Sequence, residues 1–133
     1  MNIIIEPHDG RRLKELLEIF IADSGVRAAL LVSRSGFALC RAGDFSDVDV
    51  STLGVLSSAA ASSTQALANI LREKEFAATT YQGTHTNMHI QVISEKSFLV
   101  ALADPSVTST VVRLYARELT KELLPIVLRL FEK

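Results

Sequence analysis

Four side chains could supply a nucleophile or bind a metal: Cys40, His8, His85 and His89. Cys40 lies within the apolar stretch Phe37–Arg41. A thiol in such a stretch is a small core residue, and its reactivity would need an electropositive, accessible setting. His85 and His89 are four residues apart. That spacing pairs ligands on a helix, but here it falls in a hairpin-like segment, where it separates them along a strand. They read as surface histidines. No two carboxylates sit at a strand end with a suitable partner. There is no GxxxxGK[ST] phosphate loop, and Gly36 and Gly83 read as turn glycines. The residue types therefore point away from an enzyme, with no catalytic residue, no cofactor and no metal.

The 133 residues are enough for a real core and suggest a single domain, 1–133. A net charge of −1 leaves no electrostatic footprint for nucleic acid or an anionic membrane. The lone cysteine rules out an intrachain disulfide framework. With no basic, apolar leader and no apolar run of membrane-spanning length, the expected setting is the cytoplasm, without membrane insertion.

No residue between Asp49 and Arg72 is charged, yet Val50–Leu71 reads as one long helix. At about 100° per residue, Leu53, Leu56, Ala60, Leu67 and Leu71 fall together and are expected to face the core. The opposite side holds Gly54, Ser58, Ala61, Ser62, Gln65 and Asn69. A helix lying on a domain normally carries a charged, solvated face there. Its absence implies that the small, neutral side is also buried, against another subunit or a partner. The plainer reading is an ordinary polar face on an alanine-rich helix.

The other elements follow from periodicity and turn residues. Asp9 is the expected N-cap of a first helix, with Leu13, Leu16, Leu17, Phe20 and Ile21 at helical spacing and an end at Ser24-Gly25. Ala28–Ser33 and Phe37–Arg41 read as a hairpin turning at Gly36. Phe76–Gln82, the alternating segment around Met88, Ile90 and Val92, and the nearly all-apolar Ser97–Ala103 read as three more strands. A helix begins near Thr108, with Val112, Tyr115, Leu119, Leu123, Ile126 and Leu130 on one face. Pro125 is expected to kink or divide it. Short loops between strands imply hairpins and a mostly antiparallel sheet.

Taken in order, Ala28–Leu39 (AALLVSRSGFAL), the Ala/Ser-rich helix Leu53–Leu71, Tyr81-Gln82-Gly83, Met88–Val92 and Phe98–Asp104 resemble the Roadblock family of dynein light chains and its bacterial homologues. The likeness covers nearly the whole chain, and its style is that of the bacterial MglB-like regulators of a small Ras-like GTPase. It implies an α+β fold: a five-stranded antiparallel sheet with the long helix on one face and the N- and C-terminal helices on the other, a Roadblock/profilin-like α/β/α sandwich. It also implies a homodimer in which the long helices pack together and strands near Tyr81 pair edge to edge. The function implied is that of a non-enzymatic regulator or scaffold that modulates the nucleotide cycle of an MglA-type GTPase of cell polarity or motility. Together with the neutral helix side, this makes Gly54, Ser58, Ala61, Ser62, Gln65, Asn69, Arg72, Thr79 and Tyr81 the candidate dimer or partner interface. No arginine stands out as a catalytic finger. The rival readings are a light-chain-like structural adaptor without a GTPase, and a small-molecule-sensing module, which would need a cavity with convergent polar groups.

Overall fold

The computed structural model describes residues 3–131. In chain order the elements are α1 (Pro7–Ser24), β1 (Ala28–Ser33), β2 (Ala38–Gly43), α2 (Val50–Ile70), β3 (Ala78–Tyr81), β4 (Asn87–Ser94), β5 (Ser97–Ala103) and α3 (Ser109–Phe131). The strands form one antiparallel sheet in the order β2-β1-β5-β4-β3. β1 and β5 run side by side at its centre, from Ala28 opposite Leu102 to Ser33 opposite Ser97. Every residue of both strands is buried, which accounts for their nearly continuous apolar sequences.

Side chains alternate across the sheet. Leu31, Leu99 and Ala101 point into a core shared with α1 and α3, where Leu13, Leu17, Leu123 and Val127 meet them. Leu30, Val32, Phe98 and Val100 point the other way, into a smaller core under α2. The long helix thus covers one face and the terminal helices cover the other.

Several local expectations need correction. α1 begins with Pro7 at its first position, where a missing N–H costs no helical bond. Its N-cap is Glu6 and not Asp9. Asp9 is buried and accepts a 2.8 Å bond from Arg129 Nη2, tying the start of α1 to the end of α3. α3 is not divided at Pro125. It is one helix from Ser109 to Phe131, with Leu123, Ile126, Val127 and Leu130 all buried around the proline, so packing keeps both halves helical. Tyr115, expected on the inward face, is partly exposed. β3 is only four residues long.

His89 is not a surface residue but is 3% exposed, because α3 packs over β4. Its imidazole sits 3.1 Å from Thr80 Oγ1 through Nδ1 and 3.1 Å from Gln91 Oε1 through Nε2. A neutral ring protonated on Nε2 satisfies both contacts: Nε2 donates to Gln91, and Nδ1 accepts from the Thr80 hydroxyl. Burial holds the His89 pKa below the usual histidine range, against a smaller opposing effect of the Gln91 bond.

Candidate functional site

α2 starts where Asp49 accepts bonds from Thr52 N at 3.2 Å and Thr52 Oγ1 at 3.0 Å. These bonds favour the ionised carboxylate and hold its pKa below the usual range. The helix ends at Ile70 with Leu71 as its C-cap, and Arg72 just beyond adopts a left-handed conformation (φ +61°) while Glu73 N donates back to Ala68 O at 2.8 Å. That is the Schellman arrangement, with arginine where glycine is usual. Between these ends the helix lies on the sheet with its small residues inward. Gly54, Ser57, Ser58, Ala61 and Ala68 are its buried positions.

This orientation is the reverse of the one expected from the leucine stripe. Three of the proposed interface residues, Gly54, Ser58 and Ala61, pack against their own subunit. A Cβ added at Gly54 would lie 2.6 Å from the Gly36 carbonyl oxygen. The Ser58 hydroxyl donates to the Arg34 carbonyl. Ala61 joins the core of Leu30, Val32 and Phe98. The physical reason is that this sheet face is already filled by bulky side chains, and the Ser33–Phe37 turn rises beside it. Only a helix with small inward residues can come close enough. The absence of bulk reflects that close approach.

The large residues therefore face outward. Val55, Leu56, Leu67, Ile70 and Leu71 range from 57% exposed at Leu67 to 76% at Ile70. Leu53 and Ala60 are half-buried at the margin. Monomeric proteins seldom leave so much apolar surface on one helix, which makes this stripe a candidate interaction surface.

The remaining candidates surround this stripe. Ser62 and Asn69 are exposed on its flank, and Arg72 is exposed just past the helix end. Gln65 Nε2 donates to Asn69 Oδ1 at 3.1 Å and to the Lys74 carbonyl at 2.9 Å, bracing the exit of the helix. Gln65 and Thr79 meet in a recess between α2 and the sheet, together with Ala61 and Thr64. Tyr81, at the end of β3, is 40% exposed. β3 pairs with β4 on one side only, so its other edge is an open row of backbone donors and acceptors among the described residues.

Sequence reasoning overlooked Arg34, which lines the same recess. Its Nε is buried without a hydrogen-bond partner, and its guanidinium makes no ion pair among the described residues. The clue was its place in the turn after β1, but only the packing of α2 over that turn brings it to the recess. Cys40 is half-buried on β2, and burial raises its thiol pKa, which disfavours the thiolate. Among the described residues no cluster of three or more His, Cys, Asp or Glu could hold a metal, and no helix is long and apolar enough to cross a membrane.

Comparison with known proteins gives a consistent picture. The family model of the Roadblock/LC7 domain matches residues 12–103. The fold is similar to that of Myxococcus xanthus MglB, at 20% identity and a TM-score of 0.89, with 99% of this chain and 98% of that one covered. It is similar to the gliding protein MglB of Thermus thermophilus, at 27% identity and a TM-score of 0.86, covering 96% and 97%. A third MglB, found in a tetrameric arrangement, is 26% identical with a TM-score of 0.88, covering 98% of each chain. No match was found among curated protein sequences.

Proposed function

The chain belongs to the Roadblock/LC7 domain family, and from that premise we propose that it is a homodimeric, non-enzymatic regulator or scaffold of a small Ras-like GTPase. Residues 1–133 act as one Roadblock-like domain, working in the cytoplasm. The observation that carries this reading is the outward apolar stripe of α2, from Val55 to Leu71. An isolated subunit gains nothing from that surface in water, whereas a two-fold pairing of α2 helices would cover part of it. The open edge of β3, whose Thr79 shares a recess with Gln65 of α2, would let the two sheets join through Thr79 and Tyr81. Ser62, Asn69, Arg72 and the recess holding Arg34 and Gln65 then form a polar surround, with Arg34 free to meet a carboxylate.

The GTPase is the partner that the family likeness suggests, and the likeness to MglB proteins, one of them a gliding protein, supports that direction. Such a partner has no internal two-fold, so it would sit unequally across both subunits. The dimer would act by favouring one arrangement of the partner's switch segments, because regulation requires differential contact with two states. Sedimentation equilibrium tests the foundation of this proposal. The chain is expected to sediment as a dimer at micromolar concentration, and a monomer under those conditions would remove it.

A further inference from the structure

On the side of the sheet remote from α2, the antiparallel pair α1 and α3 leaves a groove of about 150 Å³. Leu16, Phe20 and Leu119, all buried, form its floor. Ile19 and Tyr115 form its walls and remain 48% and 38% exposed. The other residues that line it are Asp23, Glu118 and Glu122, so every ionisable side chain in the lining, the Tyr115 phenol aside, is an acid.

Size and charge together select an occupant. Small-molecule sites usually enclose roughly 300–1,000 Å³, so this groove is suited to an anchoring side chain rather than a free ligand. The acidic lining favours cations beside that anchor. Two lining acids are already touched from outside the groove. Lys121 Nζ lies 3.1 Å from Glu118, and Arg12 Nη2 lies 3.9 Å from Glu122. Both pairs are solvent-exposed, and such pairs contribute little, so an incoming cation can compete with them. Asp23 makes no ion pair among the described residues. We propose that the α1/α3 groove is a second docking surface that takes an apolar anchor of a basic amphipathic helix from a partner protein. The stripe on α2 carries no comparable acidic lining, so the two faces would select different partners.

The test uses two synthetic helical peptides on the full chain. Both carry leucines at i, i+3 and i+7; one flanks them with lysines and the other with glutamates. Amide chemical shifts map the contact, and fluorescence anisotropy gives affinity. The basic peptide should perturb Ile19, Asp23, Tyr115 and Glu118, and the acidic peptide should bind at least about tenfold more weakly. Ile19→Arg places a cation in the exposed wall and should weaken the basic peptide by about tenfold or more, as should Glu118→Lys combined with Glu122→Lys. Binding should weaken as salt is raised. Equal affinity for the two peptides, shifts centred on Leu56, Leu67 and Ile70, or no binding by the wild-type chain would each overturn the proposal. So would a change in oligomeric mass on Ile19→Arg, which would assign the groove to a second copy of the chain.

Discussion

Replacing Leu67 by Glu should separate assembly from folding. Leu67 is 57% exposed in the isolated subunit, so its side chain contributes little to the subunit's own core. Full burial of a leucine stabilises by about 1.5–3 kcal/mol, so covering the portion still exposed is worth about 1–1.5 kcal/mol. A two-fold interface contains the residue twice, and the substitution therefore removes about 2–3 kcal/mol of association energy. At 1.4 kcal/mol per decade, the dimer dissociation constant should rise roughly 30- to 150-fold from lost burial alone. A carboxylate that must be desolvated on each side adds to this. Sedimentation across a concentration series measures that constant, and circular dichroism reports whether the subunit remains folded. The expected result is a folded monomer over concentrations where the wild-type chain is expected to be dimeric. Ala61→Arg should behave differently, because Ala61 is 7% exposed against its own sheet and a guanidinium there disrupts the subunit. If Leu67→Glu leaves the dimer constant unchanged, the outward stripe is not the assembly surface.

Two further substitutions probe the packing. Gly54→Ala gains about 1 kcal/mol of helix propensity, but its Cβ would lie 2.6 Å from the Gly36 carbonyl oxygen. Overpacking of that kind costs about 1–3 kcal/mol, a net loss of up to about 2 kcal/mol after the propensity gain, so the variant should unfold at lower urea than wild type, and a rise in stability would show that α2 does not lie this close. Because burial lowers the His89 pKa in the folded chain, the unfolded chain takes up a proton that the folded chain resists. Stability should therefore be full above the unfolded histidine pKa of about 6.5 and decline as pH falls below it, and His89→Gln should flatten that decline in urea titrations. A profile identical to wild type would show that His89 is not its source.

The layered α+β arrangement was legible because the buried strands announce themselves. Apart from Ser33 and Ser97, Ala28–Ser33 and Ser97–Ala103 are apolar because helices cover both of their faces. The facing of α2 was not legible. Its leucines and its small residues both recur at helical spacing, and hydrophobicity alone favours putting the leucines inside. The decision rests on how much room the sheet leaves, and that depends on Phe98, Val100, Ile90 and the Gly36 turn, which are distant in sequence. The same non-local packing buries His89 and brings Arg34 beside Gln65 and Thr79. The flanking candidates Ser62, Asn69, Arg72 and Tyr81 do lie at the surface, since polar residues at a helix margin, a helix end or a strand end stay exposed whichever way the helix turns.

Binding to a small Ras-like GTPase tests the central claim most directly. The full chain would be titrated by calorimetry with the GTPase encoded nearest to it, loaded with GDP or with a non-hydrolysable GTP analogue. One GTPase should bind per dimer, and the two nucleotide states should differ by at least about tenfold in affinity, a coupling of about 1.4 kcal/mol. Binding should be lost with Leu67→Glu. Equal affinity for both states would contradict a regulatory role, and no binding by an intact dimer would contradict the GTPase reading itself.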